Sequence, residues 1–159
     1  MKALTVRQPW AWAIVHGGKD VENRVQAWSY RGPLAIHAAA TWSDDGAASP
    51  VVRRAVWDFY GTEAPLDQPL FRSPESPRTF GAIIGVVDLI NVHVSARTAT
   101  GTCCSSAWAQ YAEGPTKPVV HLRVENPRPL PRPVIARGQL GLWTPNADTL
   151  AAIREQVPA

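Results

Sequence analysis

Cysteine is scarce in this chain, and its placement argues against the usual cysteine-based sites. The two cysteines among 159 residues, Cys103 and Cys104, are adjacent, which suits neither a normal disulfide framework nor the CxxC spacing of zinc and redox sites. The histidines are too scattered for a local metal signature, although a site assembled from distant strands stays open: His16, His37, His93 and His121. We therefore expect a reducing, cytoplasmic setting with no metal and no cofactor.

Long hydrophobic runs are also absent. No stretch of the sequence approaches the ~18 apolar residues of a membrane span, and the first residues lack the apolar core of a signal peptide. We therefore expect neither a membrane-spanning nor a secreted protein, and no membrane partner. With 45% hydrophobic and 18% charged residues, the composition is typical of a globular protein with little charge. A chain of this length buries roughly 70% of its unfolded surface, which predicts a single domain over residues 1–159 and leaves the oligomeric state open.

Neither sign of charge dominates. Sixteen basic residues against thirteen acidic ones leave a net charge of +3, too small a surplus to identify a polyanionic partner. The surplus lies at both ends: residues 1–40 carry five basic and two acidic residues, and residues 121–159 carry five and three. Thirteen of the sixteen basic residues are arginine, which suits bidentate phosphate contacts and stacking on bases. A GC-rich coding sequence would produce the same arginine excess, so composition alone leaves the partner open.

Hydrophobic periodicity and turn residues predict a mixed α+β chain. One helix starts at Pro9 and stops at Gly17, and a second starts at Pro50 and stops at Gly61. Apolar runs predict five strands and a closing helix: strands over 20–25, 34–38, 81–94, 119–124 and 138–143, and a helix over 146–156. No regular βα alternation occurs, which favours a small mixed β-barrel with flanking helices.

Three further segments are not expected to form ordinary elements. Residues 62–80 are predicted to be an irregular proline-rich loop. Prolines at positions 127, 129, 131 and 133 predict an extended, polyproline-like crossing that connects elements inside the domain. Residues 95–107 are small and polar, and are predicted to form a loop.

The densest polar group follows the first helix. Lys19, Glu22 and Arg24 lie within six residues, directly after the pair Gly17 and Gly18. Two cations beside one carboxylate bind phosphate while the carboxylate holds them in place, or the carboxylate acts as a base. The same residues also suit a hairpin whose charges are simply solvated. The GxxxxGK[ST] spacing of a phosphate loop is missing, so spacing alone leaves these alternatives open.

Four blocks of the sequence resemble the ASCH domain family, named for activating signal cointegrator homology. They are Gln8-Pro9-Trp10-Ala11; Gly17, Lys19, Glu22 and Arg24 in the spacing GxKxxExR; Tyr30-Arg31-Gly32-Pro33-Leu34; and Arg137-Gly138-Gln139-Leu140-Gly141-Leu142-Trp143. The resemblance implies a β-barrel similar to the PUA domain, with the GxKxxExR motif in a cleft between the barrel and its helices. It also implies nucleic-acid binding, RNA first, with DNA binding attributed to the coactivator-like branch, which the first and third blocks resemble.

On this resemblance the predicted function is nucleic-acid binding, to RNA or DNA, in a basic cleft around the motif. Lys19 and Arg24 would contact phosphate or a base edge, and Glu22 would orient Arg24. Trp28 would stack on a base, and Arg7 and Arg31 would extend the basic surface. The predicted nucleic-acid-binding residues are therefore Arg7, Lys19, Glu22, Arg24, Trp28 and Arg31.

Two other functions stay open. Some small members of the family are hydrolases acting on acylated cytidines, and ribonuclease activity has been reported within it. In such an enzyme Lys19 would be the base or nucleophile activator and Glu22 the acid/base. The amidohydrolase branch uses a lysine with a threonine three residues on; Glu22 holds that position here, so the hydroxyl nucleophile is missing. The third interpretation is a protein-interaction adaptor that uses the proline loop over 65–80.

Aromatic residues and one histidine divide by their predicted surroundings. Helical spacing places Trp10 in the core stripe, and packing in the core or at its rim is favoured for Trp12. Trp143 is predicted to be core and Trp57 to be exposed. His37 points outward on its strand, where a structural hydrogen bond is favoured over a phosphate contact.

Overall fold

Within the described residues, six strands form one mixed sheet that curls into a half barrel, and four helices flank it. The architecture comes from a computed structural model that describes residues 1–61, 79–98, 101–112 and 118–157. The strands are β1 (Lys2–Gln8), β2 (Val21–Arg24), β3 (Gly32–Trp42), β4 (Ala82–Val94), β5 (Arg97–Thr98), β6 (Gly101–Thr102), β7 (Val120–Ile135) and β8 (Leu142–Trp143). The helices are α1 (Trp10–Val15), α2 (Asp44–Ala48), α3 (Pro50–Tyr60) and α4 (Ala147–Arg154). None of these helices is long and apolar enough to cross a membrane.

The strand order is β2-β7-β4-β3-β1-β8, and β5 pairs with β6 in a separate two-stranded sheet. β1 runs parallel to β3, while the other pairs are antiparallel. In the part of the chain that is described, β8 pairs with β1 only at Ala3 and Leu4. From Thr5 onward β1 is therefore one edge of the sheet, and β2 is the opposite edge. This curled, mixed sheet confirms the predicted α+β, PUA-like class.

Different elements bury the two faces of the sheet. On one face, α1 packs Ile14 and Val15 against apolar side chains of β1, β3, β4 and β7. Helix and sheet approach closely at Gly85, where a Cβ would lie 2.6 Å from Val15 Cγ1, and the β4 ladders shift register at the same point. On the other face, Ile153 of α4 packs with Trp143 in a second apolar cluster. Alternate residues along a strand therefore pack into two separate hydrophobic clusters, one on each face of the sheet.

Helix α1 is short and is held at its start by the residue before it. Gln8 is buried, its Oε1 accepts a hydrogen bond from Trp12 N at 2.8 Å, and its Nε2 donates to Thr79 O at 2.9 Å. Trp12 packs against Val52 and Val56 of α3 in a third cluster. The block that begins at Gln8 therefore fixes α1 between the sheet and α3.

Most predicted elements are present with shifted ends. Gly61 ends α3 in the left-handed conformation, with φ of 68°, and Asn146 caps α4 by accepting from Thr149 N. The predicted loop over 95–107 contains the paired strands β5 and β6, and the predicted strand over 138–143 is reduced to β8. Helix α2, capped by Ser43, is not among the predicted elements. Residues 62–78 of the predicted proline-rich loop lie outside the described residues.

The segment predicted to be a polyproline-like crossing at 127–133 is extended and lies inside the domain, as expected, but it is a paired strand rather than a connector. The segment continues β7 and pairs with β4, with Pro129 opposite Gly85 and Val134 opposite Ile83. Backbone N–H groups alternate sides along a strand, so prolines at every second position all remove a donor from one side. Among the described residues, β2 pairs with β7 only over 120–123. The proline segment therefore lacks a β2 partner, and its missing donors interrupt no ladder with β2.

Candidate functional site

A glycine turn between α1 and β2 positions the charged residues of the GxKxxExR motif. A Cβ at Gly17 would lie 3.0 Å from Cζ3 of the Trp12 ring. Gly18 has φ of +69°, a conformation that residues with a side chain rarely adopt. The backbone N–H of Lys19 then donates to Ala13 O at 2.9 Å. The motif begins with glycine because the turn passes tightly against the helix.

Lys19 is buried at the centre of the motif. Its side chain is 2% exposed, its Nζ lies 3.3 Å from Glu22 Oε2, and it donates to the backbone oxygen of Val21. The ammonium lies 5.4 Å from the ring centroid of Trp10 and 5.5 Å from that of Trp108, within cation–π range. Burial lowers the pKa of Lys19, and the Glu22 carboxylate opposes that shift. In this conformation Lys19 is a desolvated cation, screened from a ligand on the surface.

Glu22 joins Lys19 to Arg24, and we call these three residues the charged row. Glu22 and Arg24 share one face of β2, as strand alternation predicts, and Arg24 Nε lies 3.1 Å from Glu22 Oε1. Arg24 Nη2 donates to Thr5 O on β1 at 2.7 Å. Arg24 therefore bridges the gap between the two edges of the sheet. Its side chain is 30% exposed, which makes it the most accessible member of the row.

Positions inside the motif hold a distant loop over it. Asp20 Oδ1 accepts a hydrogen bond from Ser106 Oγ. Asn23 binds the same loop twice: Nδ2 donates to Trp108 O at 2.8 Å, and Oδ1 accepts from Gln110 N at 2.9 Å. These bonds place the Trp108 ring beside the buried ammonium of the charged row. Local spacing does not reveal this loop, because it lies 85 to 87 residues along the chain from its partners.

Arg31 and Trp28 lie in the loop that leads from β2 to β3. The Arg31 guanidinium donates to three backbone oxygens, those of Trp28 at 2.9 Å, Tyr30 at 2.7 Å and Val92 at 3.3 Å. It therefore holds the loop against β4 while remaining exposed. Trp28 is half-buried against the sheet core, and its Cζ2 lies 3.8 Å from the position that a Cβ would take at Gly141.

Exposed cationic and apolar side chains border the gap that Arg24 bridges. Arg7 is exposed on β1, two residues beyond Thr5, whose carbonyl oxygen Arg24 contacts. Val25 directly follows Arg24 and is exposed. The gap therefore combines positive charge with uncovered apolar surface.

His37 has a structural role. It is 2% exposed, its Nε2 lies 2.9 Å from Ala136 O, and its ring meets that of Trp143 edge-on, with centroids 5.8 Å apart. A Cβ at Gly138 would lie 2.6 Å from Cε1 of the His37 ring, so glycine allows the chain to cover the histidine. Burial lowers the pKa of His37. The structural hydrogen bond that was favoured for His37 is confirmed. His37 was predicted to point outward from β3, and the chain at Gly138 covers that side of the strand.

The tryptophans sort largely as predicted. Trp143 is buried, Trp57 is 45% exposed, and Trp12 is fully buried between α1 and α3. Trp10 is half-buried rather than core, because it stands between the sheet core and the α1–α3 cluster, beside the ammonium of Lys19.

A second polar cluster lies outside the motif. His93 of β4 and His121 of β7 are direct partners across the ladder, and Cys103 and Cys104 follow β6. The side-chain nitrogen and sulfur atoms of these four residues that could act as ligands lie within 4.8 Å of one another. The sequence leaves a site assembled from distant strands open but does not identify its members, because their proximity depends on the β4–β7 register.

Comparisons with known proteins agree with this fold. A family model described as ASCH domain matches residues 4–127. Among solved structures, the chain is similar to the crystal structure of ASCH from Zymomonas mobilis, with a TM-score of 0.54 and 14% identity over 97% of this chain and 93% of that one. A tyrosine-to-phenylalanine mutant of the Zymomonas mobilis protein gives a TM-score of 0.53 and 14% identity over 97% and 96%. No curated protein matches the chain.

Proposed function

The chain belongs to the ASCH domain family, which is generally thought to bind RNA, and on that premise we propose that it binds single-stranded nucleic acid at the gap between β1 and β2. The observation that carries the proposal is the position of Arg24. Its guanidinium is partly exposed, and Glu22 and the backbone of Thr5 hold it across the gap. A guanidinium fixed by a carboxylate presents its remaining donors in one orientation, which suits a phosphate or a base edge.

The charge of the row supports an anionic ligand. Lys19 and Arg24 share the single carboxylate of Glu22, so the row carries one net positive charge. Because Lys19 is buried, its role is to hold Glu22, and Arg24 makes the contact. The exposed Arg7 and Arg31 add positive charge on β1 and on the loop before β3.

Aromatic and apolar side chains beside the gap support contact with bases. Trp28 is half-buried, and Arg31 fixes the loop that carries it. Base–aromatic stacking is worth about 1–3 kcal/mol per base. With so few cations the affinity is modest and falls with salt. The slope of log affinity against log salt concentration changes by about 0.7 for each phosphate neutralised on a single strand.

Anisotropy of labelled single-stranded RNA and DNA, each about 12 nucleotides long, tests the proposal over a range of salt concentrations. Arg24→Gln should weaken binding and lower the salt slope by about 0.7. Arg54→Gln removes the same charge from an exposed position on α3 and should leave binding unchanged. Equal binding by the two variants, or an affinity that does not fall with salt, would refute the proposal. Comparing RNA with DNA identifies the preferred ligand.

A second candidate function, hydrolysis of RNA or of acylated cytidine, is favoured by the surroundings of Lys19. Burial lowers the pKa of this amine, which is what a lysine base or nucleophile activator requires. Lys19 also borders a cavity of about 320 Å³, at the low end of small-ligand pockets, while its ammonium faces Glu22, Trp10 and Trp108 outside that lining. Asp20 and Glu125 line the same cavity, so its charge suits a neutral nucleoside better than a phosphate.

Turnover assays on acylated cytidines and single-stranded RNA separate the two functions. Lys19→Arg keeps the positive charge but removes an amine that can lose its proton at accessible pH. Turnover lost in Lys19→Arg and retained in Arg24→Gln would favour the enzyme. Absence of turnover together with salt-sensitive binding would favour the binding module.

A further inference from the structure

We propose that His93, Cys103, Cys104 and His121 form a binding site for one Zn²⁺ ion, made of residues outside the charged row. The register of the sheet creates the site. His93 and His121 are directly opposite on β4 and β7, so both imidazoles project from one face, and their ring centroids are 5.3 Å apart. The chain that leaves β6 then bends at Cys103 and brings both thiols to the two rings.

The distances match a tetrahedral metal centre. Cys103 Sγ lies 3.4 Å from His121 Nδ1, and Cys104 Sγ lies 3.4 Å from His93 Nε2. Zinc bonds of about 2.3 Å to sulfur and about 2.0–2.1 Å to nitrogen place neighbouring sulfur and nitrogen ligands about 3.6 Å apart. Because no pair of ligand atoms is more than 4.8 Å apart, a closing movement of about 1 Å brings all four into zinc range.

The other nitrogen of each imidazole already has an oxygen partner. His121 Nε2 lies 2.7 Å from the backbone oxygen of Gln110, and His93 Nδ1 lies 2.9 Å from Asn91 Oδ1. Each ring donates its N–H to that oxygen, which leaves a lone pair on the nitrogen that faces a thiol. Metal-ligating histidines show this arrangement, because the outer hydrogen bond fixes both tautomer and ring orientation.

The cysteine sulfurs are supported in the same way. Ala96 N donates to Cys103 Sγ at 3.3 Å, a bond that stabilises a thiolate. Tyr111 and Thr102 both donate through their hydroxyls to the backbone oxygen of Cys104, at 2.7 Å and 2.8 Å, which fixes the chain that carries both sulfurs. If the four residues only formed two thiol–imidazole hydrogen bonds, the Cys103–His121 pair and the Cys104–His93 pair would not need to lie next to each other.

The donor set specifies the metal. Two thiolates and two neutral imidazoles compensate a divalent charge, and two sulfur and two nitrogen ligands in a tetrahedron are typical of structural zinc sites. Four protein ligands leave no open position, so the ion is structural rather than catalytic. It would fasten the chain at 103–104 to β4 and β7.

Cobalt substitution in tag-free, fully reduced protein tests the site. We expect one equivalent of Co²⁺ to produce a sulfur-to-cobalt charge-transfer band together with the intense visible bands of tetrahedral Co²⁺, and Zn²⁺ to displace it. Elemental analysis of protein purified without chelator should give one zinc per chain. Cys103→Ser with Cys104→Ser should abolish the spectrum, and His93→Ala should weaken it. His16→Asn is the matched histidine control outside the cluster and should bind cobalt normally.

The result that overturns the proposal is obtained on the unaltered protein. Reduced chain with both thiols titratable that fails to take up one equivalent of Co²⁺ would refute the site whether or not the variants fold. A disulfide between the two adjacent cysteines, with no cobalt uptake after its reduction, would refute it as well. An unchanged cobalt spectrum in the folded double serine variant would show that cobalt binds elsewhere and would also count against the site.

Discussion

Replacing Glu22 by glutamine tests the physical basis of the charged row. The substitution keeps the shape of the side chain but removes the carboxylate that lies 3.3 Å from Lys19 Nζ. The two side chains are 2% and 9% exposed, so the pair belongs to the buried class, in which removing one partner costs about 3–5 kcal/mol. Because part of the carboxylate also serves the half-exposed Arg24, we expect a loss near the lower end, about 3 kcal/mol.

The dependence of that loss on pH identifies Lys19 as its source. Burial lowers the folded-state pKa of Lys19, so between that pKa and the unfolded value of about 10.4 the unfolded chain binds more protons, and stability rises with pH. Glu22 raises the folded-state pKa of Lys19. Glu22→Gln therefore lowers that pKa and extends the pH range in which stability rises toward lower pH. The difference in stability between the two proteins should narrow as the pH rises.

Urea denaturation followed by tryptophan fluorescence measures the effect near neutral pH and near pH ~9.5. A loss of about 3 kcal/mol lowers the melting temperature of a chain of this size by about 6–12 °C. Asp58→Asn is the control, because it removes one carboxylate from the exposed Arg54–Asp58 pair, whose side chains are 76% and 55% exposed, and it should leave the midpoint unchanged. Equal midpoints for the two variants, or a difference that does not narrow with pH, would refute the argument.

Three further substitutions test separate features of the fold. Trp12→Ala removes a fully buried ring and should cost about 3–5 kcal/mol in urea unfolding; a smaller loss would mean that the site collapses. Gly138→Ala places a Cβ 2.6 Å from the His37 ring and should cost about 1–3 kcal/mol, so an unchanged midpoint would contradict the close approach. Arg128 holds the pKa of Asp88 below its usual range, so this pair stabilises the fold above pH ~4 and less as the pH falls through the lowered pKa. Asp88→Asn should flatten the fall of the melting temperature at acid pH. An unchanged fall below pH ~4 would argue against the pair.

Local spacing predicts only the part of the charged row that lies on one strand, which is the pair of Glu22 and Arg24. Because strand residues alternate faces, Glu22 and Arg24 were expected on one side of β2, and their side chains meet there. The spacing does not show the burial of Lys19, because two distant tryptophans produce it: Trp10 on α1 and Trp108 in a remote loop. Burial is a property of the assembled chain, and it screens from the surface the Lys19 ammonium that the motif led us to expect at a phosphate.

The alternating prolines mislead for a related reason. Proline spacing describes which backbone donors are missing, but it does not say whether a neighbouring strand needs them. β7 pairs with β4 through this segment. The pairing of β7 with β2 covers only residues 120–123 and therefore stops before the prolines. A strand is therefore compatible with a proline at every second position, provided that one side stays without a partner. The metal cluster likewise depends on register, since His93 and His121 lie 28 positions apart in sequence and adjacent in the ladder.

One short loop connects the two proposed sites, and this connection predicts that they are coupled. Cys104 belongs to the metal cluster, and four residues later Trp108 lies beside Lys19 and is bound by Asn23. Gln110 contacts both sites, since its N–H donates to Asn23 and its oxygen partners His121. Fastening this loop with Zn²⁺ should order the surroundings of the charged row and strengthen nucleic-acid binding at least about fivefold, as expected for two energetically linked sites. By linkage, nucleic acid should raise the affinity for Zn²⁺ by the same factor. Titrations of each ligand in the presence and absence of the other measure both factors, and equal affinities with and without the metal would show that the loop keeps its position unaided.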